Sequence, residues 1–338
     1  MTGAIFAYSR QGTQTARRVM QALPGTWQGY AAQRVAGEDF APIPKPSGSF
    51  YGSCFARMDV LVFVSSCGIA VREIAPYVRD KTTDPAVLCL DERGQFVIPL
   101  LSGHIGGANA LARQLADALV ATPVITTATD IHGRFSVDTW ATDQGYALLG
   151  RAEAKAVSAA ILEGDVPLKS DFPLPPALPS GVRLGETGPV GIYLTYTTAT
   201  PFLTSLRLVP KMLTLGIGCR KGTSVQQITE AVAAVFSRHQ LEPLAIKKVV
   251  SIDLKAQEPG LLEYCQRHAL PFGVYTAQEL NAVSGDFPPS EFVRQITGTD
   301  NVCQRAALAG GETLLVKKTC CGSVTIAVAA QPWEVHFG

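Results

Sequence analysis

Ile98-Pro-Leu-Leu-Ser102-Gly-His104-Ile-Gly106-Gly107-Ala-Asn109 is the stretch on which the reading of this chain turns. Phe96 to Leu101 is an apolar run, expected as a strand, and it stops abruptly at Ser102-Gly103-His104. A glycine-bearing turn follows. Ile105, Ala108, Leu111, Ala112, Leu115 and Leu119 then form one stripe at helical spacing. A hydroxyl, an imidazole and several backbone N–H groups therefore meet at a strand-to-helix corner. In open α/β sheets such corners bind anions and carry chemistry. The ordinary pKa of histidine suits proton transfer in either direction near neutrality.

Outward from that corner, Met58 to Val64 is a near-continuous apolar run, the mark of a central parallel strand buried on both faces. Residues 3–8 read as a strand and Thr13 to Leu23 as a helix. Residues 37–53, rich in Pro, Gly and Ser, read as a loop. Ser65 to Gly68 opens a helix over Ile69 to Ala75 that Pro76 stops. Ala86 to Leu90 pairs with Phe96 to Leu101 through the turn Asp91 to Gly94, and Val124 to Thr126 is the next strand. Residues 130–205 hold a short helix at 154–163, the Pro-rich run Pro173 to Pro179, and strands near 191–196 and 205–209. Beyond them, Lys211 to Gly216 and Lys248 to Ile252 are strands. Helices are expected at 225–238, 257–268, 277–283, 290–297 and 301–309, and closing strands near 313–316 and 323–329. The alternation predicts an α/β protein: two three-layer α/β domains, 1–130 and 208–338, joined by a small, mostly-β middle segment at 131–207.

The chain has 338 residues, 47% hydrophobic and 17% charged, as expected of globular domains with sizeable buried sheets. Its net charge of +1 offers no global field for nucleic acid. No apolar run is long enough for a membrane span, and Met1 to Tyr8 lacks the flanks of a signal peptide. We therefore expect a cytoplasmic protein with reduced thiols at its 8 cysteines, and a homo-oligomer is compatible with this composition. The cysteines form no CxxC pair and the 5 histidines no HExxH spacing, so no protein-bound metal is expected.

Three further motifs each carry two readings. Gly216-Ile-Gly-Cys-Arg220-Lys221-Gly-Thr223-Ser224 lies between a strand and a helix, where glycines and helix N–H groups can cradle an anion. The competing reading is a tight turn with Thr223 or Ser224 as N-cap. Its spacing fits neither the Walker nor the Rossmann loop, which weakens a nucleotide role. Ser251-Ile-Asp253-Leu-Lys255 ends a strand and either lines a ligand cleft or merely caps the next turn. Asp130, after Val124 to Thr126, lines the same cleft as His104 or caps a turn. Ser102 and His104 are too close in sequence for a nucleophile and its base, and no G-x-S-x-G elbow is present.

Taken in order, Cys67-Gly-Ile-Ala-Val-Arg72, Asp80-Lys81, Asp84-Pro-Ala-Val87, Leu100 to Asn109 and Ile125 to Asp130 resemble the N-terminal domain of the cobalt-precorrin-5A hydrolase family (CbiG type) of anaerobic cobalamin synthesis. Gly216 to Thr223, Ser251 to Lys255, Ser290 to Val293 and Val302 to Ala307 resemble its C-terminal domain, while 131–205 matches loosely. The resemblance implies a hydrolase that opens the ring A δ-lactone of cobalt-precorrin-5A, releases acetaldehyde and leaves cobalt-precorrin-5B. The substrate carries the cobalt, so no cofactor is implied. Lactone hydrolysis needs an activated water and a place for the oxyanion. His104 is the candidate acid or base, with Lys81 or Asp130 as the second proton-transfer group. The Gly106-Gly107 backbone and the helix N-terminus are candidates to hold the oxyanion. Arg72, Lys81, Arg220, Lys221 and Lys255 are candidates to pair with the substrate's acetate and propionate groups in a cleft between the first and last domains, and Ser102, Asn109, Thr223, Ser251 and Asp253 are further candidates to touch the substrate. Two other functions stay open: a corrinoid carrier without chemistry, and a nucleotide-dependent enzyme using the Gly216–Ser224 loop.

Overall fold

The computed structural model describes residues 1–80, 83–104 and 106–337. Its elements divide into two compact units, Met1–Thr139 and Trp140–Gly338, each considered by itself. In the first unit the strands are β1 (Thr2–Ala7), β2 (Thr26–Ala31), β3 (Ala41–Pro42), β4 (Val60–Val64), β5 (Ala86–Leu90), β6 (Phe96–Leu101) and β7 (Thr122–Pro123). The helices are α1 (Arg10–Ala22), α2 (Gly48–Arg57), α3 (Cys67–Ile74), α4 (Ala108–Leu119), α5 (Ala128–Ile131) and α6 (Val137–Asp143), the last running across the boundary.

Alternation along the buried strands makes the layers. Ile5, Ala7, Val60, Val62, Val64, Leu88 and Leu90 face α1 and α4, packing on Ala16, Val19, Ala112 and Leu115. Their neighbours Ala4, Phe6, Leu61, Phe63, Val87 and Cys89 face α2 and α3, packing on Tyr51, Phe55, Ala70 and Ile74. The sheet order is β3-β2-β1-β4-β5-β6-β7. β1 to β5 are parallel, whereas β6 runs antiparallel to β5, with Leu101 opposite Val87. The turn at Ser102 to His104 therefore sits at the amino-terminal edge of β4 and β5. The hairpin expected from the turn Asp91 to Gly94 is present, and its reversed second strand is what puts the corner there.

Two local expectations also change. Residues 48–57, read as loop from their Gly and Ser content, form α2, because Tyr51, Cys54 and Phe55 give it one buried face. Residues 124–126 are irregular, and the strand there is the short β7.

The second unit carries two five-stranded sheets. One combines β8 (Ala147–Leu149), β9 (Val166–Ser170), β10 (Val182–Leu184), β11 (Val190–Leu194) and β12 (Thr204–Val209) in the order β10-β9-β11-β12-β8, with helix α7 (Arg151–Glu163) packed on it. The other combines β13 (Leu213–Cys219), β14 (Ile246–Ile252), β15 (Phe272–Tyr275), β16 (Thr313–Cys321) and β17 (Val324–Ala330) in the order β15-β14-β13-β17-β16. Its helices are α8 (Val225–Arg238), α9 (Pro259–Arg267), α10 (Ala277–Ala282), α11 (Glu291–Thr297) and α12 (Val302–Gly310). An added Cβ at Gly216 would lie 2.0 Å from the Cys303 carbonyl oxygen, so that glycine serves the close approach of α12 to β13 rather than a ligand.

Candidate active site

The corner before α4 is built by the backbone bonding to itself. Ala108 N–H donates to the Ser102 carbonyl at 3.1 Å, Asn109 N–H to that of Gly103 at 2.9 Å, and Gly107 N–H to that of His104 at 2.8 Å. These amides, expected from sequence to be open for an oxyanion, are engaged internally. Ser102 sits at φ 56, a backbone region L-residues rarely occupy. Its buried hydroxyl donates to the Asp84 carbonyl at 2.9 Å. The Asp84 carboxylate in turn accepts from the amides of Arg79 and Asp80 at 2.8 and 3.0 Å. Ser102 thus ties Asp84 to the corner, its hydroxyl engaged by the chain itself. Lys81 lies outside the described residues.

The corner delivers His104 into a polar network. Its Nε2 lies 3.1 Å from Asp130 Oδ2. The same oxygen accepts from Asn109 Nδ2 at 2.9 Å, and Arg113 pairs with Oδ1. Asn109 is buried and also donates to Thr127 Oγ1 at 2.9 Å, so it positions Asp130 rather than facing a ligand. Burial works against ionising Asp130, but Arg113 and His104 outweigh it and hold the carboxyl below its ordinary range. On the other side of the ring, His104 Nδ1 is 3.3 Å from Ser136 Oγ and 3.9 Å from Asp138 Oδ1. The side chains of His104, Asp130 and Asp138 are 22%, 17% and 12% exposed, close enough to water to meet a ligand and dry enough for their charges to matter. The structure brings together His104 and Asp130, both singled out in the sequence, with Arg113, Ser136 and Asp138, which were not. Arg113 carried a signal, standing one helical turn after Asn109. Arg72 turns back to the Gly68 carbonyl at the start of α3, the end of that helix on the sheet edge opposite His104.

In the second unit the carboxyl ends of β13 and β14 gather the other candidates. The Glu258 carboxylate accepts from Gly222 N–H at 2.7 Å and from Lys255 Nζ at 2.8 Å. Burial opposes its ionisation, yet Lys255 and the Gly222 amide bring its pKa below the ordinary value. The loop between β13 and α8 therefore cradles an anion, and that anion is the chain's own carboxylate. Ser224 and Gln227 close a capping box on α8, leaving Ser224 a structural role. Thr223 is buried, donating to the Arg220 carbonyl at 2.8 Å. Ser251 is fully buried, donating to the Ile217 carbonyl at 2.7 Å. Both hydroxyls are ties within the sheet edge. Arg220, Lys221 and Asp253 are exposed, and the Asp253 carboxylate caps the Leu254 amide at 2.7 Å. Among the described residues no cluster of His, Cys, Asp and Glu is grouped to hold a metal ion, and no helix is long and apolar enough to cross a membrane.

Fold and site together define an α/β protein with a histidine–carboxylate cluster at the corner before α4. Residues 49–130 match the family described as Cobalamin synthesis G N-terminal, and residues 213–329 match Cobalamin synthesis G C-terminus. The chain is 34% identical over 332 residues to the cobalt-precorrin-5A hydrolase of Salmonella typhimurium strain LT2, covering 92% of this chain and 93% of that protein. It is 32% identical over 365 residues to the cobalt-precorrin-5A hydrolase of Priestia megaterium, covering 98% and 95%. Protein CobE of a Sinorhizobium species is 31% identical over 121 residues, 35% of this chain and 79% of that protein. The chain belongs to the cobalamin synthesis G family.

Proposed function

We propose that this chain is a cobalt-precorrin-5A hydrolase, opening the ring A δ-lactone and releasing acetaldehyde to give cobalt-precorrin-5B. The observation that carries the reading is likeness to two cobalt-precorrin-5A hydrolases over 92% and 98% of the chain. The His104–Asp130 pair within the N-terminal family segment supplies the chemistry. Asp130, held ionised by three donors, orients the imidazole and stabilises its cation; a carboxylate so held is a poor proton carrier. His104 moves the proton. Lactone opening frees a hydroxyl on the two-carbon substituent. Loss of that hydroxyl's proton breaks the adjacent C–C bond, acetaldehyde departs, and the electron pair enters the macrocycle. One general acid–base group contributes on the order of 10² to 10⁴-fold. The cobalt is substrate, and the protein needs no cofactor of its own. The exposed Arg220 and Lys221 suit the acidic side chains of such a ring. The enzyme works in the cytoplasm and needs no nucleic acid.

Incubating purified protein with cobalt-precorrin-5A and measuring acetaldehyde tests the reading. Stoichiometric release that turns over supports it. Tight binding without acetaldehyde would leave a carrier in its place.

A further inference from the structure

The imidazole of His104 has a hydroxyl on the nitrogen opposite its carboxylate, and the steps above do not use it. Ser136 Oγ lies 3.3 Å from Nδ1. It is half-buried: its hydroxyl donates to Asp138 Oδ1 at 3.1 Å and shares a hydrogen bond with Thr139 Oγ1 at 3.0 Å, and rotation about its C–O bond turns the hydrogen from Asp138 to Nδ1. With Asp130 taking the hydrogen bond of Nε2, the basic nitrogen is Nδ1, and it faces Ser136. Carboxylate, imidazole and hydroxyl in that order, the base oriented by a third group, is the arrangement that activates serine; it is recognised by geometry rather than by sequence spacing. A second carboxylate, Asp138, stands 3.9 Å from Nδ1, so a cation forming on the ring is flanked on both sides.

We propose that Ser136 is the nucleophile that opens the lactone, through an ester between the enzyme and the substrate's carbonyl. The proposal rests on the lactone-opening reading. The Oγ–H proton passes to Nδ1 as Oγ bonds to the lactone carbonyl carbon and the ring C–O bond breaks. The departing oxygen becomes the carbonyl oxygen of acetaldehyde as the adjacent C–C bond breaks. The electron pair goes to the macrocycle, which takes the proton from His104. Water then attacks the ester carbon, its proton passes through Nδ1 to Ser136 Oγ, and the free acid leaves. The sum is one water consumed and one acetaldehyde released.

The test uses the full chain. Wild-type protein is quenched rapidly after mixing with cobalt-precorrin-5A, digested and mapped by mass spectrometry. A fluorophosphonate, whose P–F bond breaks as Oγ bonds to phosphorus, is used as a separate probe. The expected result is an ester on the Ser136 peptide with the mass of substrate less acetaldehyde. Fluorophosphonate labelling of the same residue should be lost in His104→Gln, and Ser136→Ala should release acetaldehyde about 10²-fold more slowly or worse. Ser136→Ala retaining more than about a tenth of wild-type turnover overturns the proposal. So does an inactive Ser136→Ala when wild-type protein forms neither adduct, since the hydroxyl then only positions the imidazole. If wild-type protein releases no acetaldehyde yet His104-dependent fluorophosphonate labelling falls on Ser136, the substrate assignment fails and the nucleophile stands. Mapping on the wild-type chain does not depend on how any variant folds.

Discussion

Asp130 Oδ2 meets His104 Nε2 at 3.1 Å from a position 26 residues further along the chain. The carboxylate arrives on α5, the imidazole on the turn before α4, and Asn109 and Arg113 of α4 pin the carboxylate in place. Replacing Asp130 by Asn keeps the shape but puts an amide where an anion fixed the ring and balanced its charge. Acetaldehyde release by Asp130→Asn is expected to fall by about 10² to 10⁴-fold, with KM changing far less. His104→Ala is expected to keep the fold and substrate binding and lose release. Circular dichroism, substrate titration and an aldehyde assay separate these effects, and undiminished release by His104→Ala would remove the imidazole from the mechanism.

The same carboxylate links the site to acid stability. Its pKa is lower in the fold than in an unfolded chain, where it is about 3.9. It therefore stabilises the native state at pH values above that figure, and the contribution is lost as pH falls through the folded value. Urea melts of wild type and Asp130→Asn are expected to differ most above about pH 4 and to converge as pH falls below it. A difference that grows on acidification would contradict this sign.

The sequence exposed whatever repeats locally. The five-residue run of β4 declared a two-sided core, and its alternation assigned helices to each face. Val225–Arg238 matched to the residue because Ser224 opens a capping box. What it left open was non-local. The turn Asp91 to Gly94 announced the hairpin of β5 and β6, whereas the sheet edge on which it leaves His104 follows only from the order of the strands. Ser251 and Thr223 look like ligand-binding hydroxyls in a string of letters, yet their donors are bound to carbonyls of the chain. Ser136 and Asp138 sit in a segment with no pattern of their own and acquire meaning only beside Nδ1.

Gly106 makes the turn possible. A Cβ there would lie 2.4 Å from Ser102 Cβ and 2.9 Å from the Ser102 carbonyl oxygen. Gly106→Ala must push the turn apart, straining the Ser102–Asp84 tie and displacing His104. A loss of about 1–3 kcal/mol in stability is expected, with a larger proportional loss of turnover than of substrate affinity. Thermal melts and steady-state kinetics measure the two effects, and a silent variant would mean that the turn is looser than its contacts indicate.

At the other end of α4, Val120 holds φ 56 with a side chain 95% exposed. A β-branched residue in the left-handed region is strained, and this side chain has almost no packing to lose. Val120→Gly is expected to raise stability by up to about 1 kcal/mol, after the extra flexibility of the unfolded chain is offset. Chemical denaturation reads it directly, and turnover should be unchanged.

Glu258 closes the argument about the second unit. Its carboxylate occupies the place between Gly222 N–H and Lys255 Nζ where a nucleotide phosphate would have to sit. Removing it in Glu258→Ala leaves both donors without their acceptor, and a loss of about 1–3 kcal/mol is expected. Hydrogen exchange should show the Gly222 amide losing protection before the core of β13. The wild-type chain, its cradle already filled, is expected to give no micromolar heat signal on titration with ATP or NAD. A clear micromolar isotherm would mean that the loop exchanges its own carboxylate for a phosphate, and the nucleotide reading would return.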